Sequence, residues 1–443
     1  MPYQKIAQTE EQYALLCYDK NGEELTDDSD GIDGLLSKSI AKRISDEQPT
    51  HIFLFSHGWK GDVDAARDQY DRWIKAMLNR PADRARNPSP FKPFWIGLHW
   101  PSLLFGDEEV SGTAFGGGAA PLSPAEIKAT YADRLNLGPD AIPLLDTIVD
   151  THMKNAAANE LPPEAAQAYS DLAAKIGYRS AGPSGPPDAE GAPFDPQQAF
   201  DRGTAASVGA NFAGGGLVDG ILGPLRQFSY WTMKKRARAI GESGMHAFVA
   251  SLMNLAPQTR FHLMGHSFGT IVVSGILGGP NARKSLPRKV DSAALIQGAV
   301  SLWAFGDSVH YTLRPGYFNP WVHQQAVRGP IIVSTSVFDK AVGVLYPWAS
   351  AISFNNGAFD SLEADPNNLP LYGAIGRFGI CGLPGAENRV MLDENGEYGF
   401  QAGRIYNLES SQFIKKMDGI SGAHSDIDGP QVAHALWQAA LVQ

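Results

Sequence analysis

Residues 260–277 read RFHLMGHSFGTIVVSGIL, a short apolar run, a glycine-bounded pentapeptide and a second apolar run. The first run, Arg260–Met264, predicts a buried strand, and the second predicts a helix from about 268 to 277. Between them the chain must reverse within a few residues, at Gly265-His266-Ser267-Phe268-Gly269. Such a corner holds its central serine in a strained conformation and admits only small residues two positions before and after it. In a chain with 47 glycines the five residues alone carry little weight. Their position between strand and helix is what constrains the fold.

The same alternation recurs elsewhere. Residues 51–56 (HIFLFS) form an apolar run that ends at His57-Gly58, followed by helical spacing of Ala66, Tyr70, Trp73, Ile74, Met77 and Leu78. Asp62 or Asp64 is available as the N-cap of that helix, and Pro81 lies beyond its end. A strand at 94–100 stops at Pro101. Strand, helix, strand is a parallel βαβ unit. Further on come a helix near 229–255, strand candidates at 293–296, 331–337 and 404–408, and a last helix near 428–442. The expected class is α/β, a mostly parallel central sheet flanked by helices.

Residues 106–226 interrupt this pattern with the Gly-, Ala- and Pro-rich stretches GGGAAP, AGPSGPPDAEGAP and AGGG. Helices are expected inside them near 124–136, 140–157 and 162–176. A structureless loop of such length is uncommon in a compact domain, so the segment reads as an inserted cap or lid, or else as a solvent-facing elaboration. The division is therefore 1–105 and 227–443 for the core and 106–226 for the insertion.

Composition removes several classes of function. A net charge of -10 lacks the basic footprint that phosphate neutralisation requires, so nucleic acid is not an expected partner. No run of 18 apolar residues suggests a membrane span. The first residues have no basic segment followed by an apolar one, so the expected location is cytoplasmic, with export without a signal peptide left open. Cys17 and Cys381 are too few for a disulfide framework or a thiolate metal site and are expected to be buried free thiols.

Ser267 is the candidate nucleophile. A serine hydroxyl needs an imidazole to take its proton, and the imidazole needs a carboxylate to fix its tautomer. Asp339 follows the run IIVSTSV at the carboxyl end of a strand, where sites in parallel sheets gather. Asp307 is the runner-up, and Asp360 lies farther on in a loop. Among His310, His323, His424 and His434, only His424 lies in a small-residue loop after the last strand and before the last helix. His434 falls on the helix itself, and His266 is assigned to packing beside the serine. The backbone N–H groups of Phe268 and Trp59 are the candidate oxyanion donors, with His57 bracing the loop that Gly58 allows to turn.

With these residues in hand, the chain resembles the α/β-hydrolase superfamily over roughly 11–105 and 227–443. The segment FSHGWKGDVDAARDQY is also similar to bacterial hydrolases labelled only as uncharacterised or as serine peptidases. The resemblance implies a Ser267, Asp339 and His424 triad, Trp59 and Phe268 as oxyanion donors, and an acyl-enzyme mechanism without metal or cofactor. The connection from Trp100 to the helix near 229 is far longer than that fold requires.

The function expected from this is hydrolysis of small-molecule or lipid-like carboxylic esters. The apolar stretch GLVDGIL at 216–222 and the aromatics Trp59, Trp95, Trp100, Trp231, Trp303 and Trp321 are candidates to line an apolar pocket. A serine peptidase or amidase on the same triad is the alternative, and a non-catalytic binding protein of the same fold is a third reading.

Overall fold

The computed structural model describes residues 3–26, 30–58, 62–88, 90–102, 123–154, 160–201, 216–309, 312–345 and 369–442. Trp59, His310, Asp360 and the glycine-rich GGGAAP stretch lie outside the described residues. The chain divides into two compact units. The larger comprises Met1–Ser102, Arg236–Pro347 and Asn355–Gln443, the smaller Leu103–Lys235 and Trp348–Phe354.

The larger unit is built on a nine-stranded sheet: β1 (Tyr3–Lys5), β2 (Gln12–Cys17), β3 (His51–Ser56), β4 (Pro93–His99), β5 (Arg260–His266), β6 (Ser292–Ile296), β7 (Ile331–Thr335), β8 (Ala386–Val390) and β9 (Ile405–Glu409). Their spatial order is β1-β2-β4-β3-β5-β6-β7-β9-β8. Only β1 and β2 pair antiparallel; every other pair is parallel. The central strands β3, β5, β6 and β7 are buried along nearly their whole length, as parallel strands covered on both faces must be.

The helices are α1 (Leu36–Glu47), α2 (Val63–Leu78), α3 (Pro124–Arg134), α4 (Ile142–Lys154), α5 (Pro163–Lys175), α6 (Gly216–Ile240), α7 (His246–Leu255), α8 (Gly269–Gly278) and α9 (Pro430–Leu441), with shorter helical turns between them. A π-helical turn, Gly241–Met245, joins α6 to α7. Helix α2 starts where the sequence indicates, the Asp62 carboxylate accepting the Ala65 N–H at 2.7 Å. It buries Ala66, Tyr70, Trp73, Ile74 and Met77, one face at helical spacing. Helices α2 and α9 pack together on one side of the sheet, where Trp73 and Trp437 join Phe53, Phe55 and Trp95 in a single core. Trp437 meets Phe53 edge to face, with centroids 5.5 Å apart. Helix α8 covers β5 and in turn packs against α7.

The strand order fixes where a site can form. From β3 the chain passes to β4 on one side, and from β5 onward it proceeds through β6 and β7 on the other. The direction of winding reverses between β3 and β5, and in open parallel sheets sites gather outside the carboxyl ends of strands at such a reversal. His57-Gly58 leaves one of these strands and Ser267 leaves the other.

The smaller unit has its own core. Ile127 and Tyr131 of α3, Leu145 and Ile148 of α4, Tyr169 and Leu172 of α5 and Phe228 of α6 bury one another. The three helices expected inside the insertion are thus present at 124–134, 142–154 and 163–175, and Ser123 with Glu126 forms a reciprocal capping box at the first. Lys234 and Glu190 form a fully buried ion pair there. Among the described residues no helix is long and apolar enough to cross a membrane. Cys17 and Cys381 are free and half-buried, where the sequence suggested buried thiols.

Candidate active site

Ser267 follows β5 with φ 56°, a left-handed conformation that is strained for any residue but glycine. Backbone hydrogen bonds lock it there, one of them from the Thr270 N–H to the Ser267 carbonyl at 3.1 Å. The Ser267 N–H donates to the Ile296 carbonyl at 3.1 Å, and its own carbonyl also accepts from the Ala299 N–H at 3.2 Å and the Thr270 Oγ1 at 2.7 Å. The flanking glycines are required by contact. A side-chain carbon on Gly265 would collide with the Gly269 carbonyl, and one on Gly269 would collide with the Ser56 carbonyl across β3. Helix α8 begins at once after Phe268, so the positive end of its dipole lies beside the serine.

Gly58 approaches from the neighbouring strand. A Cβ there would stand 3.1 Å from Ser267 Oγ and 2.9 Å from the His266 carbonyl, and closer still to Ser267 Cβ. The backbone before it is held by His57. That ring donates from Nδ1 to the Gly58 carbonyl at 2.7 Å and accepts the Trp100 N–H on Nε2 at 3.3 Å. It stacks on the Trp100 ring with centroids 5.6 Å apart. Burial pushes its pKa down to about 3, which keeps the imidazole neutral as this bonding pattern requires. The His57 N–H donates to the Tyr70 hydroxyl at 2.7 Å, and that hydroxyl donates to the Leu98 carbonyl, so α2, β3 and β4 are tied at one point.

Asp339 and His424 meet. His424 Nδ1 donates to Asp339 Oδ2 at 2.7 Å, with the carboxylate fully buried and the imidazole 12% exposed. The segments are paired as well: Asp339 faces Gly422 across an isolated antiparallel bridge, and the Ala423 N–H donates to the Phe338 carbonyl at 2.9 Å. The second oxygen, Asp339 Oδ1, accepts the Val342 N–H at 3.1 Å. With Nδ1 so engaged, Nε2 is the nitrogen left to work on another group.

The rival acid is engaged elsewhere. Asp307 Oδ1 accepts from Asn319 Nδ2 at 2.8 Å and bonds His323 Nε2 at 2.6 Å, forming a surface pair separate from His424. His434 lies in α9, buried, with Nδ1 2.9 Å from both Asp83 oxygens and Nε2 on the Gly396 carbonyl.

His266, assigned to packing from sequence, has a more definite part. Its Nε2 donates to the His424 carbonyl at 2.8 Å, and its Nδ1 accepts from Gln69 Nε2 at 3.0 Å. The His266 and His424 rings lie 4.8 Å apart. Burial holds the His266 pKa well below the usual histidine range, so the ring stays neutral and its two bonds keep their direction. The loop of His424 is therefore fastened to the residue next to Ser267. Gln69 carries no sequence signal, since a glutamine on the outer face of a helix is ordinary.

Among the described residues no hydrogen bond joins Ser267 Oγ to the His424 ring; the connection between their segments runs through His266. The aromatics named for a pocket are packed: Trp95, Trp100, Trp231, Trp303 and Trp321 are all buried. Comparison of the chain with protein-family models, with curated proteins and with solved structures returned no match.

Proposed function

We propose that the chain is a serine hydrolase of the α/β-hydrolase fold that cleaves carboxylic esters through an acyl-enzyme. In this reading Ser267 Oγ attacks the acyl carbon while His424 Nε2 takes its proton. Asp339 holds the imidazole in the tautomer that leaves Nε2 as base and steadies the imidazolium that forms. The tetrahedral oxyanion is met by the Phe268 N–H at the start of α8, with Trp59, which lies outside the described residues, as the candidate for the second donor. His424 then returns the proton to the leaving alcohol, and water, activated by the same imidazole, releases the acid.

The observation that carries the reading is the 2.7 Å bond between His424 Nδ1 and a fully buried Asp339, fastened through His266 to the strained corner that bears Ser267. A solvated loop histidine has no need of a buried carboxylate and a second imidazole to hold it. Labelling with a fluorophosphonate, together with parallel assays on p-nitrophenyl butyrate and a peptide p-nitroanilide, tests it. Labelling that disappears in Ser267→Ala, with turnover of the ester above that of the anilide, is expected. Wild-type ester hydrolysis by Ser267→Ala would overturn it.

A further inference from the structure

One strand away from Ser267 the structure carries a second strained residue with an unusual side chain. Gln297 follows β6 with φ 45° and is fully buried, yet neither its Oε1 nor its Nε2 meets a hydrogen-bond partner among the described residues. Buried amides are almost always paired, and one that is not calls for a specific explanation, a functional role among them, while strained backbone is enriched at ligand sites. We propose that Gln297 recognises the substrate of the Ser267 site and that the acyl group it selects carries an amide. The inference rests on the serine-hydrolase reading above.

The backbone of Gln297 cannot slide to find a partner. Its N–H donates to Ser334 Oγ at 2.9 Å, and the residues around it are bonded to the serine itself, Ile296 through its carbonyl and Ala299 through its N–H. Gly376 closes the other side: a Cβ on it would lie 2.9 Å from Gln297 Cα. The side chain is thus presented from a fixed point at the carboxyl end of the sheet, on the strand next to the one that bears Ser267.

The chemistry of the side chain selects the occupant. A carboxamide offers an acceptor and two N–H donors. A plain hydrocarbon acyl chain satisfies neither, an ammonium satisfies only Oε1, and a carboxylate satisfies only Nε2. A secondary amide satisfies both, its N–H on Oε1 and its carbonyl on Nε2.

The test uses two p-nitrophenyl esters with the same leaving group, one of butyric acid and one of N-acetylglycine, with the full chain and its Gln297→Met variant. The wild type is expected to favour the N-acetylglycine ester. Gln297→Met should lower the ratio of kcat/KM on the N-acetylglycine ester to that on butyrate by about 10–100-fold. The same variant should melt at or above the wild-type temperature, because it removes a buried amide that has no partner. An unchanged ratio, a lower melting temperature, or a variant that does not fold would each overturn the proposal. Failure of the underlying reading looks different: hydrolysis retained in Ser267→Ala, or absent from the wild type on both esters, removes the serine hydrolase and the role of Gln297 with it.

Discussion

Gly58→Ala puts the closest contact of the site under direct pressure. The added methyl would stand 2.9 Å from the His266 carbonyl and nearer still to Ser267 Cβ, where non-bonded carbons settle at about 3.5–4.0 Å. Something must move by about 1 Å. Ser267 cannot retreat easily, because its N–H and carbonyl are tied to Ile296, Ala299 and Thr270, and because Gly269 is already in contact with the Ser56 and His57 carbonyls. His57 cannot retreat either, pinned by Tyr70 and Trp100. Overpacking of this kind costs about 1–3 kcal/mol of stability. A serine displaced by about 1 Å loses on the order of 100-fold in rate. Thermal denaturation and p-nitrophenyl butyrate hydrolysis measure the two effects, with Gly343→Ala as control, since a Cβ there meets nothing nearer than Arg377 Cδ at 3.7 Å. A Gly58→Ala protein that melts with the wild type and hydrolyses the ester at the wild-type rate would refute the packing argument and the site built on it.

Asp339→Asn replaces an acceptor by a group that can donate, which turns His424 to the wrong tautomer, and kcat should fall by about 1,000–10,000-fold with little change in KM. His266→Phe keeps a ring but loses the bonds to Gln69 and to the His424 carbonyl, so kcat is expected to drop by roughly 10-fold, with a non-additive double mutant with Gln69→Ala as the sign that one chain of bonds is involved. In the smaller unit, Glu190→Gln removes the carboxylate charge paired with the buried Lys234 ammonium and should cost about 3–5 kcal/mol in chemical denaturation; a cost below 1 kcal/mol would show that the pair is not desolvated. Acid should destabilise the larger unit through His57. Its folded pKa, about 3, lies below the unfolded value of about 6.5, so its contribution is whole above pH 6.5 and is lost as pH falls towards 3, reaching about 2 kcal/mol at pH 5. His99, pushed down to about 4 chiefly by burial, acts in the same direction. Unfolding free energies that are equal at pH 7.5 and pH 5.0 would contradict both.

The strands that form the middle of the sheet were legible because their burial on both faces leaves an unbroken apolar run, as in HIFLFS at β3. Helix α2 was legible from the 3.6-residue spacing of Tyr70, Trp73, Ile74 and Met77. The edge strand β8, AENRV, was not, since a strand half exposed to water carries no such run. The elbow at Ser267 announces itself because its geometry admits few residues. Its partnership with Gly58 does not, because a 209-residue separation in sequence is closed only by the pairing of β3 with β5. For the same reason the meeting of Asp339 with His424, and of Asp307 with Asn319 and His323, is visible only in the structure. The part taken by His266 was missed because the neighbour of a corner residue is ordinarily packing, and only the return of the 424 loop reveals its second bond.

Two adjacent strands, β5 and β6, each end in a left-handed non-glycine residue. Left-handed backbone at a non-glycine residue costs on the order of 1–3 kcal/mol, and Ser267 and Gln297 each bear it one residue beyond their strands. Neither can relax alone, because the Ser267 N–H is bonded to the residue before Gln297 and the Ser267 carbonyl to the residue two after it. Such an arrangement persists only where the surrounding sheet over-determines it, and β5, buried along nearly its whole length and covered by α8, does so.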